Sequence, residues 1–189
     1  MTCIVGIAHE GKIILGADSA GVGGWDLRIR KDRKVFLNGG LIIGGTSSFR
    51  MLQLLQFNLT PPAIVEGQQP FEYAVKALVP AIRETLKSGG YATSINGRDE
   101  GGVSIVGFRG SLFTIYSDFQ VAECIDDITA VGCGESYAMG AMHALRERVA
   151  DPMARLQAGL DAAVTFSAGV AGPFHFVTLP AKATTKEST

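Results

Sequence analysis

Apolar residues run almost unbroken through two short segments at the start of the chain, Thr2 to Ala8 and Lys12 to Asp18, with Glu10-Gly11 between them. A two-residue gap of that kind predicts a hairpin. Strands that are apolar throughout, instead of alternating, need cover on both faces, as in an inner sheet layer. A Gly-rich loop, "GVGGWDLR", leads to a basic stretch from Arg28 to Lys34. Strands are expected at Lys34 to Leu37 and at Leu41 to Gly45, with a turn at Asn38-Gly39-Gly40.

The period then changes. "SSFRMLQLLQFNL" begins with serines suited to cap a helix and ends before Pro61-Pro62. "FEYAVKALVPAIRETLKSGG" places Phe71, Val75, Leu78, Ile82 and Leu86 on one helical face and stops at Gly89-Gly90. Pro80 inside it should kink the helix or divide it. After a polar loop, "NGRDEGG", strands are expected at Val103 to Phe108, Ser111 to Tyr116, near Val121, and Ile128 to Gly132. Two helices follow, "GESYAMGAMHALRERV" and one opening at Asp151-Pro152, a cap residue with proline at the first helical position. A last strand runs from Phe174 to Leu179. Strands, two helices, strands, two helices, strand: this order predicts antiparallel sheets packed together with helices outside, a layered α+β sandwich.

Composition narrows the function classes. The 189 residues suit one domain with one substantial core, over residues 1–181, and the polar tail "KATTKEST", 182–189, is expected to be disordered. Seventeen basic and eighteen acidic side chains balance to −1, which gives no reason to expect nucleic acid or a membrane surface as partner. Cys3, Cys124 and Cys133 are too few and too scattered for a disulfide framework or a metal site, so a reducing, cytoplasmic setting without a metal is expected. No apolar run is long enough to span a membrane. His9, His143 and His175 fall on a turn, a helix and a strand and form no catalytic or metal set.

The candidate chemistry lies at the front of the chain. With Met1 removed, Thr2 would carry an α-amino group beside its own hydroxyl, and threonine paired with an N-terminal amine is one way to activate a nucleophile. A free α-amine has a pKa of about 7.7–8.0, near enough to neutrality to take a proton without a histidine. Ideal hairpin register sets Ser19 opposite Thr2 and Asp18 opposite Cys3, leaving open which face Asp18 takes. Lys34 stands where a basic loop enters a strand. A lysine near the hydroxyl would favour the alkoxide, and Asp18 could balance it. Gly44-Gly45 ends a strand before a helix, where a backbone N–H could meet a developing oxyanion.

On these residues the chain resembles the proteasome-type N-terminal nucleophile hydrolases, and among them the HslV-like peptidases. The matching stretches are "TCIVGIA", "GKIILGADS", the lysine of "RKVF", "IIGGTSS" and "AVGCGESYAMGA". Thr2, Asp18 and Lys34 keep the family's mutual spacing. The resemblance implies a four-layer αββα sandwich of two antiparallel sheets. It makes Thr2 nucleophile and base, Lys34 its electrostatic partner, Asp18 the orienter of Lys34, and the Gly44 amide the oxyanion donor. Gly21, Val22, Gly45 and Thr46 would line a peptide cleft. Where the family often has serine in a Gly-Ser-Gly turn this chain has Cys133, and the family's distal aspartate and serine fall near Val164 and Ser167. Ser19, Cys133 and Ser167 are thus candidates for a supporting shell.

The implied activity is threonine endopeptidase on peptides or unfolded protein, with no cofactor. The implied assembly is a homo-oligomeric ring served by an AAA+ ATPase unfoldase. Two other readings use the same residues: a catalytically silent ring or shell subunit that retains Met1, and an enzyme with the same threonine chemistry acting on a small amide.

Overall fold

A computed structural model describes residues 1–95 and 98–181. The expected tail from residue 182 lies outside them. β1 (Cys3–His9) and β2 (Lys12–Ala17) form the expected hairpin, closing on the pair His9↔Lys12. Both turn residues are left-handed, Glu10 at φ 50° and Gly11 at φ 74°, the twist that a two-residue hairpin needs. β3 (Ala20–Gly23) and β4 (Asp26–Ile29) make a second hairpin where a Gly-rich loop was expected. The apolar Leu27 and Ile29 pair within this ribbon, yet they remain half-exposed and Trp25 at the turn is wholly exposed. β5 (Val35–Asn38) and β6 (Leu41–Gly45) follow as read from the sequence.

α1 (Phe49–Phe57) is capped by Ser48, whose hydroxyl accepts the Arg50 N–H at 3.0 Å. The next helical segment is divided, as Pro80 led one to expect. α2 (Pro70–Tyr73) passes through a wide turn at 74–78 into α3 (Val79–Ser88). In the wide turn Val79 N–H reaches Ala74 O, one residue farther than in an α-helix. That extra residue rotates the upstream face. Tyr73 and Ala74 are buried, while Phe71 and Val75, both expected inside, are about half exposed.

The polar stretch expected as a loop contributes a short hairpin, β7 (Thr93–Ile95) with β8 (Arg98–Glu100). β9 (Ser104–Phe108), β10 (Ser111–Ile115), β11 (Val121–Glu123) and β12 (Ile128–Gly132) come next. α4 (Glu135–Ala144) and α5 (Pro152–Phe166) lead to β13 (His175–Leu179). Asp151 caps α5 through the N–H groups of Met153 and Ala154.

Two antiparallel sheets result, ordered β12-β1-β2-β13 and β11-β10-β9-β6-β5. α4 and α5 cover the outer face of the first; α1 and the divided helix cover the second. This is the α+β four-layer sandwich expected. Uniformly apolar β1 is explained by its position: Cys3, Val5 and Ile7 face the helices, Ile4 and Ala8 face the other sheet. Burial, and then the Asp18 carboxylate, push the Cys3 thiol up to about 12, so it packs as a neutral apolar group.

The helix-side core of the larger sheet centres on Phe108. Its ring lies 5.1 Å from Tyr73, edge-on, and 5.2 Å from Phe113. Phe108→Ala should therefore destabilise the protein by about 3–5 kcal/mol in denaturant titration, the range for deleting a fully buried aromatic ring.

Candidate active site

Alternation along β1 decides where Thr2 points. Even-numbered residues face the space between the sheets, and Thr2 continues that series at the strand's open end. Lys34 enters the same space from the start of β5. Its ammonium donates to Thr2 Oγ1 at 2.9 Å and to Asp18 Oδ1 at 2.7 Å. All three side chains are shut away from solvent, with Thr2 5%, Asp18 1% and Lys34 2% exposed. Burial draws Lys34 below the ordinary lysine value, and the adjacent Asp18 carboxylate works against that pull.

β2 stops at Ala17, so strict alternation no longer governs the next two residues. The Asp18 carboxylate accepts N–H groups from Cys3 at 3.0 Å, Ala20 at 2.9 Å and Ala171 at 3.3 Å, besides the lysine. Those donors fix its face, the point register left open. Ser19 does not join Thr2. Its hydroxyl donates instead to Pro173 O at 2.5 Å.

Cys133 and Ser167 do come to the site. Thr2 N–H donates to Cys133 Sγ at 3.3 Å, and Ser167 Oγ donates to the same sulfur at 3.3 Å. Val164 lies on α5 and makes no such contact. The turn that carries Cys133 is pressed against Thr2: at Gly132 (φ 104°) a Cβ would stand 2.2 Å from the Thr2 carbonyl oxygen. Only glycine fits there.

Gly44 is placed differently from expectation. Amide direction alternates along β6. Gly45 N–H donates to Lys34 O at 3.2 Å and Thr46 N–H to Val103 O at 3.0 Å, so the Gly44 N–H points to Ile105, its partner in β9. Its Cα faces the inter-sheet core, where a Cβ would meet Ile4 and Val35. Gly44 thus belongs to the sheet and not to the site. Ser47 was not singled out from the sequence. It leaves the strand at φ 74°, borders the space beside Thr2, and its N–H meets no acceptor among the described residues. A left-handed serine held in that way is the kind of strained backbone that functional sites retain. Nothing in "GGTSS" marked it, because serine does not ordinarily signal a positive φ.

Val22, Gly45 and Thr46, with Met1 and with Phe49 and Leu52 from α1, line a cavity of about 120 Å³ beside Thr2 and Lys34. Gly21 lies in the neighbouring hollow, under Arg30. Among the described residues no cluster suited to a metal ion occurs, and no helix is long and apolar enough to cross a membrane. The chemical capacity of the site is that of a hydroxyl beside a buried cation, with a chain nitrogen on the same residue.

No protein-family model matches the chain, and comparison with curated proteins finds no significant match. Solved structures do match over nearly the whole length. BPH of Thiobacillus denitrificans superposes with a TM-score of 0.79 at 18% identity, covering 97% of this chain and 100% of that one. The same protein in complex with epoxomicin gives 0.77 at 19%, covering 96% and 100%. Eukaryotic HslV from Trypanosoma brucei gives 0.69 at 18%, covering 94% and 98%. At such identities the likeness shows the fold: this chain has the four-layer α+β sandwich of BPH and HslV.

Proposed function

We propose that the protein is a threonine-type peptidase whose nucleophile is Thr2 once Met1 has been removed. One observation carries this reading: the buried Lys34 ammonium, 2.9 Å from Thr2 Oγ1 and 2.7 Å from Asp18. A cation is costly to bury, and here both its acceptors are a carboxylate and the one hydroxyl that adjoins the chain terminus.

The reaction divides into two transfers. The neutral α-amine of Thr2 takes the hydroxyl proton as Oγ1 bonds to the peptide carbonyl carbon. Lys34 lowers the energy of the oxygen as it gains negative charge. The carbonyl oxygen becomes an oxyanion, for which the Ser47 N–H is the available backbone donor. The intermediate collapses by breaking the C–N bond, the ammonium of Thr2 gives its proton to the leaving amine, and a Thr2 ester remains. Water then attacks the ester, passing a proton to the same amine. The C–O bond breaks, the acid leaves, and the hydroxyl recovers its proton. Cys133 and Ser167 hold the Thr2 nitrogen in place. No cofactor enters.

The hydrophobic β3–β4 ribbon, exposed in a single chain, supports a homo-oligomer, and likeness to HslV makes a ring supplied with unfolded protein by an AAA+ ATPase the natural assembly. Three unpaired cysteines fit a cytoplasmic setting.

While Met1 remains, the Thr2 hydroxyl donates to Met1 O at 2.5 Å and the Thr2 nitrogen is an amide without a basic lone pair. Intact mass of the native protein should show loss of Met1, and the trimmed protein should cleave peptide amides, with Thr2→Ala inactive. Retention of Met1 would assign a silent ring subunit instead. Turnover of small amides but not of peptides would assign the third reading.

Removing Asp18 should strand the lysine. Asp18→Ala is expected to destabilise by about 3–5 kcal/mol in denaturant titration and to abolish turnover. Lys34→Met, which fills the space but leaves the buried Asp18 carboxylate without its cation, should also lose stability, by up to about 3–5 kcal/mol, and lose activity by at least about a hundredfold in the fraction that stays folded.

A further inference from the structure

Met1 is 55% exposed, whereas Thr2, on the other side of the bond that must break to release it, is 5% exposed and Cys3 is wholly buried. Both polar groups of the Met1–Thr2 peptide are taken up inside the fold. The Met1 carbonyl accepts the Thr2 hydroxyl at 2.5 Å, and the Thr2 N–H donates to Cys133 Sγ at 3.3 Å. The same hydroxyl oxygen accepts from the Lys34 ammonium at 2.9 Å.

The residues on either side are held as well. The Thr2 carbonyl accepts the Gly134 N–H at 3.4 Å, with Gly132 closed against it. Cys3 pairs with Gly132 across β12 and donates its N–H to Asp18 Oδ1 at 3.0 Å. On the other side, the Met1 side chain rests on Gly169, where a Cβ would stand 2.5 Å from Met1 Cβ and 2.9 Å from Met1 Cγ. Chain ends fray unless something ties them down. This one is tied at its second residue and seated at its first.

We infer that removal of Met1 precedes folding: an aminopeptidase trims the chain while its first residues are still extended, and a chain that folds with Met1 in place keeps it. Trimming is a hydrolysis. Water oxygen bonds to the Met1 carbonyl carbon, the C–N bond breaks, the Thr2 nitrogen takes a proton, and methionine leaves as the free amino acid. An exopeptidase must close around that carbon and grip the residue that follows. To offer both, Thr2 has to leave the Cys133 turn, and Lys34 loses one of its two acceptors while still buried. The folded end therefore protects its own cap. That a capped chain is silent rests on the peptidase reading above; the order of trimming and folding does not.

The full chain should be made in cells whose methionine aminopeptidase is inhibited, with retention of Met1 confirmed by intact mass, and freed of the inhibitor. Treated in its folded state with purified methionine aminopeptidase, it should lose Met1 at least about a hundredfold more slowly than a synthetic peptide of residues 1–5, since cleavage follows the small population whose end has opened. The same chain diluted from denaturant into the aminopeptidase should be trimmed in far larger part over the same time. Loss of Met1 from the folded chain at the rate of the peptide would overturn the inference, as would its loss with no aminopeptidase present. Chains trimmed during refolding are then assayed on peptides. If they cleave none, the peptidase reading falls, while the mass measurements still decide the order of the two events.

Discussion

A single ammonium group organises the heart of this molecule. Lys34 is enclosed between the two sheets, where an unpaired cation would cost several kcal/mol. Its partner, Asp18, also accepts N–H groups from β1, from the start of β3 and from the segment after α5. One carboxylate therefore ties three stretches of chain to one charge. The remaining acceptor of the lysine is Thr2 Oγ1, so the hydroxyl's position follows from the electrostatics of the pair.

That arrangement depends on the sandwich around it. β1 can bring Thr2 to the inter-sheet space only because strand alternation holds over its whole length, and it holds because both faces are covered. These polar ties lie at one end of the sheets. Beside them lie the exposed β3–β4 ribbon, which carries Asp26 and Arg28, and the ring of Phe49 under Arg30.

Much of this could be read from the chain. Continuous apolar runs gave covered strands, Glu10-Gly11 gave the hairpin and its register, and Asp151-Pro152 gave a helix start. Thr2, Asp18 and Lys34 were legible together because their spacing matched a family pattern. What escaped the sequence had physical reasons. The wide turn before Pro80 shifted the buried face from Phe71 and Val75 to Tyr73 and Ala74, a one-residue change that periodicity does not carry. Gly44 looked like an oxyanion donor because two glycines end a strand, but amide direction depends on which neighbour each residue faces. The Arg28 to Lys34 run read only as a basic loop entering a strand, and only three dimensions reveal that Arg30 and Lys34 approach one aromatic ring. Glycine-rich "GVGGWDLR" concealed a ribbon because glycines weaken the strand signal even where pairing is regular.

Gly132 carries an implication for engineering. With the Thr2 carbonyl where its own Cβ would be, the bend before α4 acts as a backstop for the front of the chain. Any side chain there would collide with the Thr2 carbonyl, which also accepts the Gly134 N–H. The absence of a side chain at residue 132 is thus what lets the front of the chain seat against this bend.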